Sequence, residues 1–195
     1  MTRFSTLLLV FILIISCKSK QKKTDVPADQ FFPVTPYIKG ELARLDTSLS
    51  TFYKIETTDN KSDTTPIRNA DVKLYAQDFA TLPDISSAEI KNDYQITHEY
   101  DDILNAFVFM FTTKEDHPVR REDVVLDPQP NDQGKNDIKS IFAEVWNTNK
   151  DTTVRKNMLW EAGKYFEIVT ITNAGGSEKT KKLRVVWSGS ENPNR

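Results

Sequence analysis

Apolar positions recur along this chain with two different periods, a helical one in the first half and a two-residue one in the second. From Thr35 to about residue 48, apolar side chains recur every three or four positions, which is the spacing of one helical face. Thr35 is a residue type favoured at a helix N-cap, and Pro36 suits the first turn. A second apolar stripe covers residues 69–82 and begins at Asn69, another favoured cap. The pattern therefore predicts two helices.

The remaining predicted elements are β-strands joined by short polar turns. Residues 51–58 alternate and are rich in Thr, Tyr and Phe, and residues 63–67 are predicted as a short return strand. Seven further segments have strand character, at residues 94–100, 106–113, 120–126, 138–146, 153–160, 165–172 and 181–187. Gly175-Gly176 has the composition of a primed hairpin turn rather than of a phosphate-binding loop, because no helix follows it. Short turns between successive strands require antiparallel neighbours.

These segments predict a single α+β domain over residues 35–187. We expect an antiparallel meander sheet of about six to eight strands, with the two N-terminal helices on one face. No linker-like stretch divides this region, and residues 188–195 are expected to be a disordered tail. Phe31 and Phe32, just before the first helix, are expected to dock into the core.

The first sixteen residues have the three-part pattern of a secretory signal peptide. Arg3 supplies the positive charge, residues 7–15 are an unbroken apolar run, and Ser16 is a small residue before Cys17. Such a run is long enough for a signal sequence, which needs about 7–15 residues, and too short for a spanning helix, which needs about 20. Residues 17–34 contain four lysines and no apolar period, so we expect a flexible tether.

The stretch Ile14-Ile15-Ser16-Cys17 resembles the lipobox of bacterial lipoproteins. The resemblance implies that diacylglycerol is attached to the Cys17 thiol, that a dedicated peptidase cuts before Cys17, and that the new amine is acylated. Cys17 is the single cysteine of the chain and stands where the lipobox requires it. The competing interpretation is an ordinary signal peptide that happens to contain a cysteine. Lipidation at Cys17 predicts an exported domain anchored to a membrane.

The charge balance and the cysteine count exclude several classes of protein. After loss of residues 1–16, which contain Arg3, the mature chain carries 25 basic and 28 acidic side chains, a net charge of −3. A nucleic-acid-binding protein would show a basic excess, so no nucleic-acid partner is expected. With Cys17 consumed by lipid, the mature chain has no thiol for a disulfide or a zinc–thiolate site. No cofactor is predicted.

Two histidines are the candidate metal-binding or acid–base residues. His98 precedes Glu99 and Asp101, and His117 follows Glu115 and Asp116. Both are expected near strand ends, where the two segments can face each other across a loop. A histidine with a carboxylate is a metal-ligand set or an acid–base pair. The competing interpretation, which we favour, is two solvated histidines beside acidic turns, because the spacing matches no known ligand pattern.

Other candidate chemistry is weaker. No G-x-S-x-G nucleophile elbow occurs, and Ser177 belongs to a predicted hairpin turn. The loop at residues 127–137 contains three Asp and two Asn, but its spacing is not that of a calcium-binding EF-hand. The aromatic residues of the predicted strands are expected mostly in the core, namely Phe107, Phe109, Phe111, Phe142, Trp146, Trp160, Phe166 and Trp187. A sheet packed over helices also leaves room for an apolar groove.

A second resemblance concerns the start of the domain and the ends of three strands. The opening Phe31-Phe32-Pro33-Val34-Thr35-Pro36-Tyr37 and the tryptophans at 146, 160 and 187 are similar to features of small uncharacterised lipoproteins common in Bacteroidetes. The resemblance implies an outer-membrane lipoprotein and carries over no activity. In that family an acidic cluster after the cysteine directs surface export. Here lysines follow Cys17, which favours the periplasmic face.

Two functions remain open. The first is a non-enzymatic envelope module, binding or structural, whose partner is an envelope protein or a polysaccharide. The alternative is a carrier of a small apolar ligand or lipid, held in a groove between sheet and helices. A hydrolase built around His98 or His117 is a third class, and no catalytic motif supports it.

Overall fold

The structure of the protein is a computed structural model that describes residues 31–187. The predicted signal peptide over residues 1–16, the lipidation site Cys17 and the predicted tail over residues 188–195 lie outside the described residues. In the described part of the chain, no helix is both long enough and apolar enough to span a membrane.

Within residues 31–187, nine strands form one open antiparallel sheet. They are β1 Phe52–Thr58, β2 Lys61–Ile67, β3 Gln95–Asp101, β4 Ala106–Thr112, β5 Val119–Pro130, β6 Asn136–Asn149, β7 Thr152–Glu161, β8 Tyr165–Ala174 and β9 Ser177–Val186. Their order is β2-β1-β9-β8-β7-β6-β5-β4-β3, so β3 to β9 are a continuous meander and the β1–β2 hairpin is added beside β9. The predicted α+β class and antiparallel meander are confirmed. The predicted number of six to eight strands was too low, because the β1–β2 hairpin joins the same sheet as the seven strands of the meander.

The helical part is smaller than predicted. The first helix, α1, spans Val34–Asp46, as the apolar stripe indicated. The predicted second helix over residues 69–82 is wrong, because a 3-10 turn at Asn69–Asp71 is followed by two single turns, α2 at Val72–Tyr75 and α3 at Gln77–Ala80. The helix breaks at Ala76, whose ψ of 10° is outside the helical region. Ala76 is fully buried and belongs to the hydrophobic core, so the break lies inside the protein.

Two side chains predicted as helix caps bind distant backbone instead. Pro33 occupies the N-cap position of α1, so Thr35 lies inside the first turn. The Thr35 hydroxyl donates to the carbonyl oxygen of Leu82 at 2.9 Å. The amide of Asn69 donates to the carbonyl oxygen of Asp46 at 2.6 Å. Both predictions of a cap were wrong because these polar side chains connect separate segments. Together the two bonds hold α1 against the segment that contains α2 and α3.

The core lies between the helices and one face of the sheet, which we call the inner face. A row of side chains in register across five strands is fully buried there, comprising Val124, Ile141, Trp160, Phe166 and Val185. Ile38 and Leu42 of α1 and Phe79 of α3 belong to the same hydrophobic cluster. Phe32 packs edge-on against Phe109 with ring centroids 5.0 Å apart, which confirms the predicted docking of the N-terminal aromatic pair. The described residues thus share one core.

The turns follow the predicted chemistry, while the strands extend further than predicted. Gly175 and Gly176 both have positive φ between β8 and β9, which confirms the primed hairpin turn. The predicted loop at residues 127–137 is shorter than expected, because β5 and β6 continue their pairing to Pro130 and Asn136. Apolar and polar side chains do not alternate in this polar stretch, so the sequence did not indicate strands there, although the backbone still pairs.

Candidate functional site

The helices leave one end of the inner face uncovered, and a cleft of about 400 Å³ opens there. On the helix side the cleft is lined by Asp78, Thr81, Leu82 and Pro83. On the sheet side it is lined by Val145 and Asn147 of β6 and by Val154, Lys156 and Met158 of β7. Its volume lies toward the low end of the range of about 300–1,000 Å³ that is typical of small-ligand pockets. We refer to it below as the cleft.

Strand register places the sheet side of the cleft. Val145 pairs directly with Lys156, and Asn147 pairs with Val154. Directly opposed residues of antiparallel strands point to the same face, and Val119, which pairs with Val145 from the other side, is fully buried. The lining side chains of β6 and β7 therefore belong to the inner face, beyond the part that α3 covers.

An ion pair connects the two sides of the cleft. The ammonium nitrogen of Lys156 on β7 lies 2.6 Å from the Oδ1 atom of Asp78 on α3. The two side chains are 30% and 39% exposed, so the pair is partly hydrated. A pair this exposed contributes at most about 1 kcal/mol to folding stability. Its position across a cleft mouth makes it more relevant to ligand recognition than to folding.

The floor of the cleft is aliphatic. Leu82 and Met158 are buried, and Val145 and Val154 are half-buried beside them. The lining thus combines these four side chains and Pro83 with one ion pair and two neutral hydrogen-bonding side chains, Thr81 and Asn147. Such a lining binds an apolar group and orients a polar one.

Glu122 is a buried carboxyl group next to the cleft that sequence reasoning missed. It is 2% exposed, and its Oε1 atom has no hydrogen-bond partner in the described part of the chain. Burial, with smaller contributions from the charges of Asp84 and Asp123, raises the pKa of Glu122 to about 8. Glu122 pairs with Ala143, whose second neighbour on β6 is the cleft residue Val145. Its two-residue spacing from the apolar Val124 was the available sequence signal.

The two candidate histidines are not brought together. His98 is the middle residue of β3, so the prediction that it lies near a strand end is wrong, and its ring stacks on Phe109 at 5.7 Å. His117 lies in the β4–β5 loop, where its Nε2 atom is 2.7 Å from Asp93 Oδ2 and its ring stacks on Tyr94 at 5.9 Å. In residues 31–187, no three His, Cys, Asp or Glu side chains converge on a position for a metal ion.

The aromatic side chains divide between the two faces of the sheet. Those buried on the inner face are Phe109, Phe111, Trp160, Phe166 and Trp187, as predicted for the core. Phe142 and Trp146 were also predicted in the core and instead lie on the opposite, outer face. Trp146 is 36% exposed, and its indole N–H donates to Glu144 at 2.6 Å. The error arose because the face of a strand cannot be assigned from an aromatic residue alone.

The fold and the cleft define an α+β protein built on a single open antiparallel sheet with a ligand-sized cleft at one end of its inner face. No protein-family model, no curated protein and no solved structure matches this chain.

Proposed function

We propose that this chain is a membrane-anchored, non-enzymatic binding module of the cell envelope, and that its ligand site is the cleft between α3 and strands β6 and β7. The single observation that supports a binding role is the cleft itself, with an aliphatic floor and one ion pair at its mouth. It lies between α3 and strands β6 and β7.

The envelope assignment rests on the sequence at Cys17. We propose lipidation at this thiol and attachment to the outer membrane on the periplasmic side, with the lysine-rich segment after Cys17 as a spacer. Two or three acyl chains hold a protein on a membrane far more firmly than one chain does. A ligand site on such a module serves to capture or hand over a small molecule close to the membrane.

A cleft-filling substitution tests the binding role. In the full chain, residues 1–195, we expect Val154→Trp to abolish binding, because indole occupies the space between α3 and β7. The matched control is Thr153→Trp, which adds the same group at the next residue of β7 on the outer face. Native mass spectrometry of the protein purified from its own host measures the bound small molecule. The proposal fails if Val154→Trp retains that molecule to the same extent as the wild type.

An envelope protein or polysaccharide partner is the second candidate. The observation that favours it is a row of half-buried apolar side chains on the outer face, with Met110, Phe142 and Leu159 in register across β4, β6 and β7. The guanidinium of Arg121 lies over the Phe142 ring at 5.8 Å and pairs with Asp123, which stands in this row between Met110 and Phe142. The surface is therefore mixed apolar and charged, with both signs of charge present. A photo-cross-linking residue at position 159 tests this surface in native membranes. It captures a partner that binds the outer face, and it does not capture a ligand that binds only in the cleft.

A further inference from the structure

We propose that the ligand of the cleft is a small zwitterion with an aliphatic side chain, such as a free apolar amino acid or a short apolar peptide. This inference rests on the proposed function, in which the cleft is the ligand site, and it adds the chemical class of the ligand. It depends on three features of the cleft, namely the hydrogen-bonding capacity of the ion pair, its charge balance, and the size of the apolar floor.

The ion pair retains hydrogen-bonding capacity on both of its members. A lysine ammonium has three donors, and one of them is used by Asp78 at 2.6 Å. The Asp78 carboxylate accepts at about four lone-pair positions, of which Lys156 uses one. Both side chains are partly exposed and both line the cleft, so their remaining positions are accessible to a ligand there. A ligand therefore binds to both groups without breaking the bond between them.

Charge balance selects among ligands. An anion that approaches Lys156 also approaches Asp78, whose carboxylate is a hydrogen-bond length away, so repulsion cancels much of the attraction. A cation that approaches Asp78 meets the same difficulty at Lys156. A ligand with both an ammonium and a carboxylate places each against its opposite and forms an alternating set of four charges. The pair therefore favours a zwitterion over either singly charged analogue.

The apolar floor sets the size of the side chain. Leu82, Val145, Val154 and Met158 present aliphatic groups, and the cleft has a volume of about 400 Å³. At about 30 Å³ for each water-sized group, this volume holds on the order of a dozen non-hydrogen atoms. Leucine and alanyl-leucine have about this size, whereas a two-chain lipid is too large. The ligands proposed for a carrier function are therefore small zwitterions and not two-chain lipids.

Calorimetric titration with matched probes tests the inference on the chain from Lys18 to Arg195. The probes are leucine, alanyl-leucine, 4-methylpentanoate, which is leucine without its amine, and 3-methylbutylamine, which is leucine without its carboxylate. We expect at least one zwitterion to bind at least about tenfold more tightly than both singly charged analogues, as for the loss of one charge-assisted hydrogen bond.

Substitution of the ion pair localises the effect. We expect Lys156→Met to weaken binding of the zwitterion by about 10- to 100-fold, and Lys156→Arg to retain most of the affinity because it keeps the charge. The matched control is Lys73→Met, which removes a lysine paired with Asp46 at the same 2.6 Å and with similar exposure, 50% and 35%, away from the cleft. This control should bind like the wild type.

Several outcomes would overturn the inference. Equal affinity for leucine and for either singly charged analogue contradicts it, as does a Lys156→Met variant that binds leucine like the wild type. Binding of none of the four probes also contradicts it. None of these outcomes decides the proposed function, which the Val154→Trp experiment tests independently. Loss of the native ligand from Val154→Trp would still support the cleft as the binding site.

Discussion

At the scale of single residues, Glu122 is a buried carboxyl group whose pKa lies well above its ordinary value. Glu122 is a residue of β5, and its Oε1 atom has no hydrogen-bond partner in residues 31–187, so burial disfavours the ionised form. Asp84 and Asp123 add repulsion rather than compensation. Glu122 thus makes folding stability depend on pH. It does so close to the cleft, because its pairing partner Ala143 is the second neighbour of the cleft residue Val145.

The pH dependence has a definite sign. The pKa of Glu122 rises from 4.5 to about 8 on folding, so the stabilisation of its protonated form is complete below pH 4.5 and is lost as pH rises through 8. We expect the wild type to lose up to about 1.4 kcal/mol of unfolding free energy per pH unit within this window, relative to Glu122→Gln. Urea unfolding at pH 5 to 9 measures the difference.

The control for this prediction is Glu99→Gln, which removes an exposed carboxylate from β3. Its unfolding free energy should follow that of the wild type across the same range. Parallel pH profiles for the wild type and Glu122→Gln would contradict the role given to Glu122.

At the scale of elements, two glycines should respond to alanine with opposite signs. Gly40 lies in α1 with no atom within 4 Å of an added Cβ, so Gly40→Ala should stabilise the fold by about 0.5–1 kcal/mol. Gly176 has a φ of 78° in the β8–β9 turn, and Gly176→Ala should destabilise by about 1–2 kcal/mol. Thermal unfolding of the two variants measures both effects. The same sign for both would contradict the element assignments.

Sequence patterns predicted elements well where the structure is decided locally. The apolar stripe of α1 and the Gly175-Gly176 turn were correct, because side-chain spacing and positive φ are properties of neighbouring residues. The second helix was wrong at Ala76, where the backbone leaves the helical region although the side chain is buried in the core. Thr35 and Asn69 have the chemistry of caps, but their bonds are to residues 47 and 23 positions away. No local pattern encodes such partners.

At the scale of the whole molecule, the cleft shows most clearly what sequence alone does not contain. A groove between sheet and helices was predicted in general terms, and its location was not. Its ion pair joins residues 78 positions apart, and each of them is ordinary in its own segment. The placement of β1 beside β9 likewise joins the two ends of the domain. Only the assembled sheet brings these groups together.

The lipid anchor is a whole-molecule prediction that depends on one atom, the Cys17 sulfur. We expect Cys17→Ser to abolish lipid attachment and processing, because serine lacks the thiol that accepts diacylglycerol. Metabolic labelling with a radioactive fatty acid, followed by membrane fractionation, measures both effects. A Cys17→Ala variant controls for the loss of polarity and should behave in the same way. A Cys17→Ser protein that is labelled and processed like the wild type would contradict the anchor.

The central claim is that the cleft is where this protein binds a small ligand. Amide chemical shifts of the isotopically labelled chain from Lys18 to Arg195, followed during titration with leucine and alanyl-leucine, test it most directly. The account predicts saturable changes grouped at Thr81, Asn147, Val154 and Lys156. Changes grouped on the outer face around Phe142 and Leu159 would contradict the cleft as the binding site, and a spectrum that does not change would contradict an apolar zwitterion as its ligand.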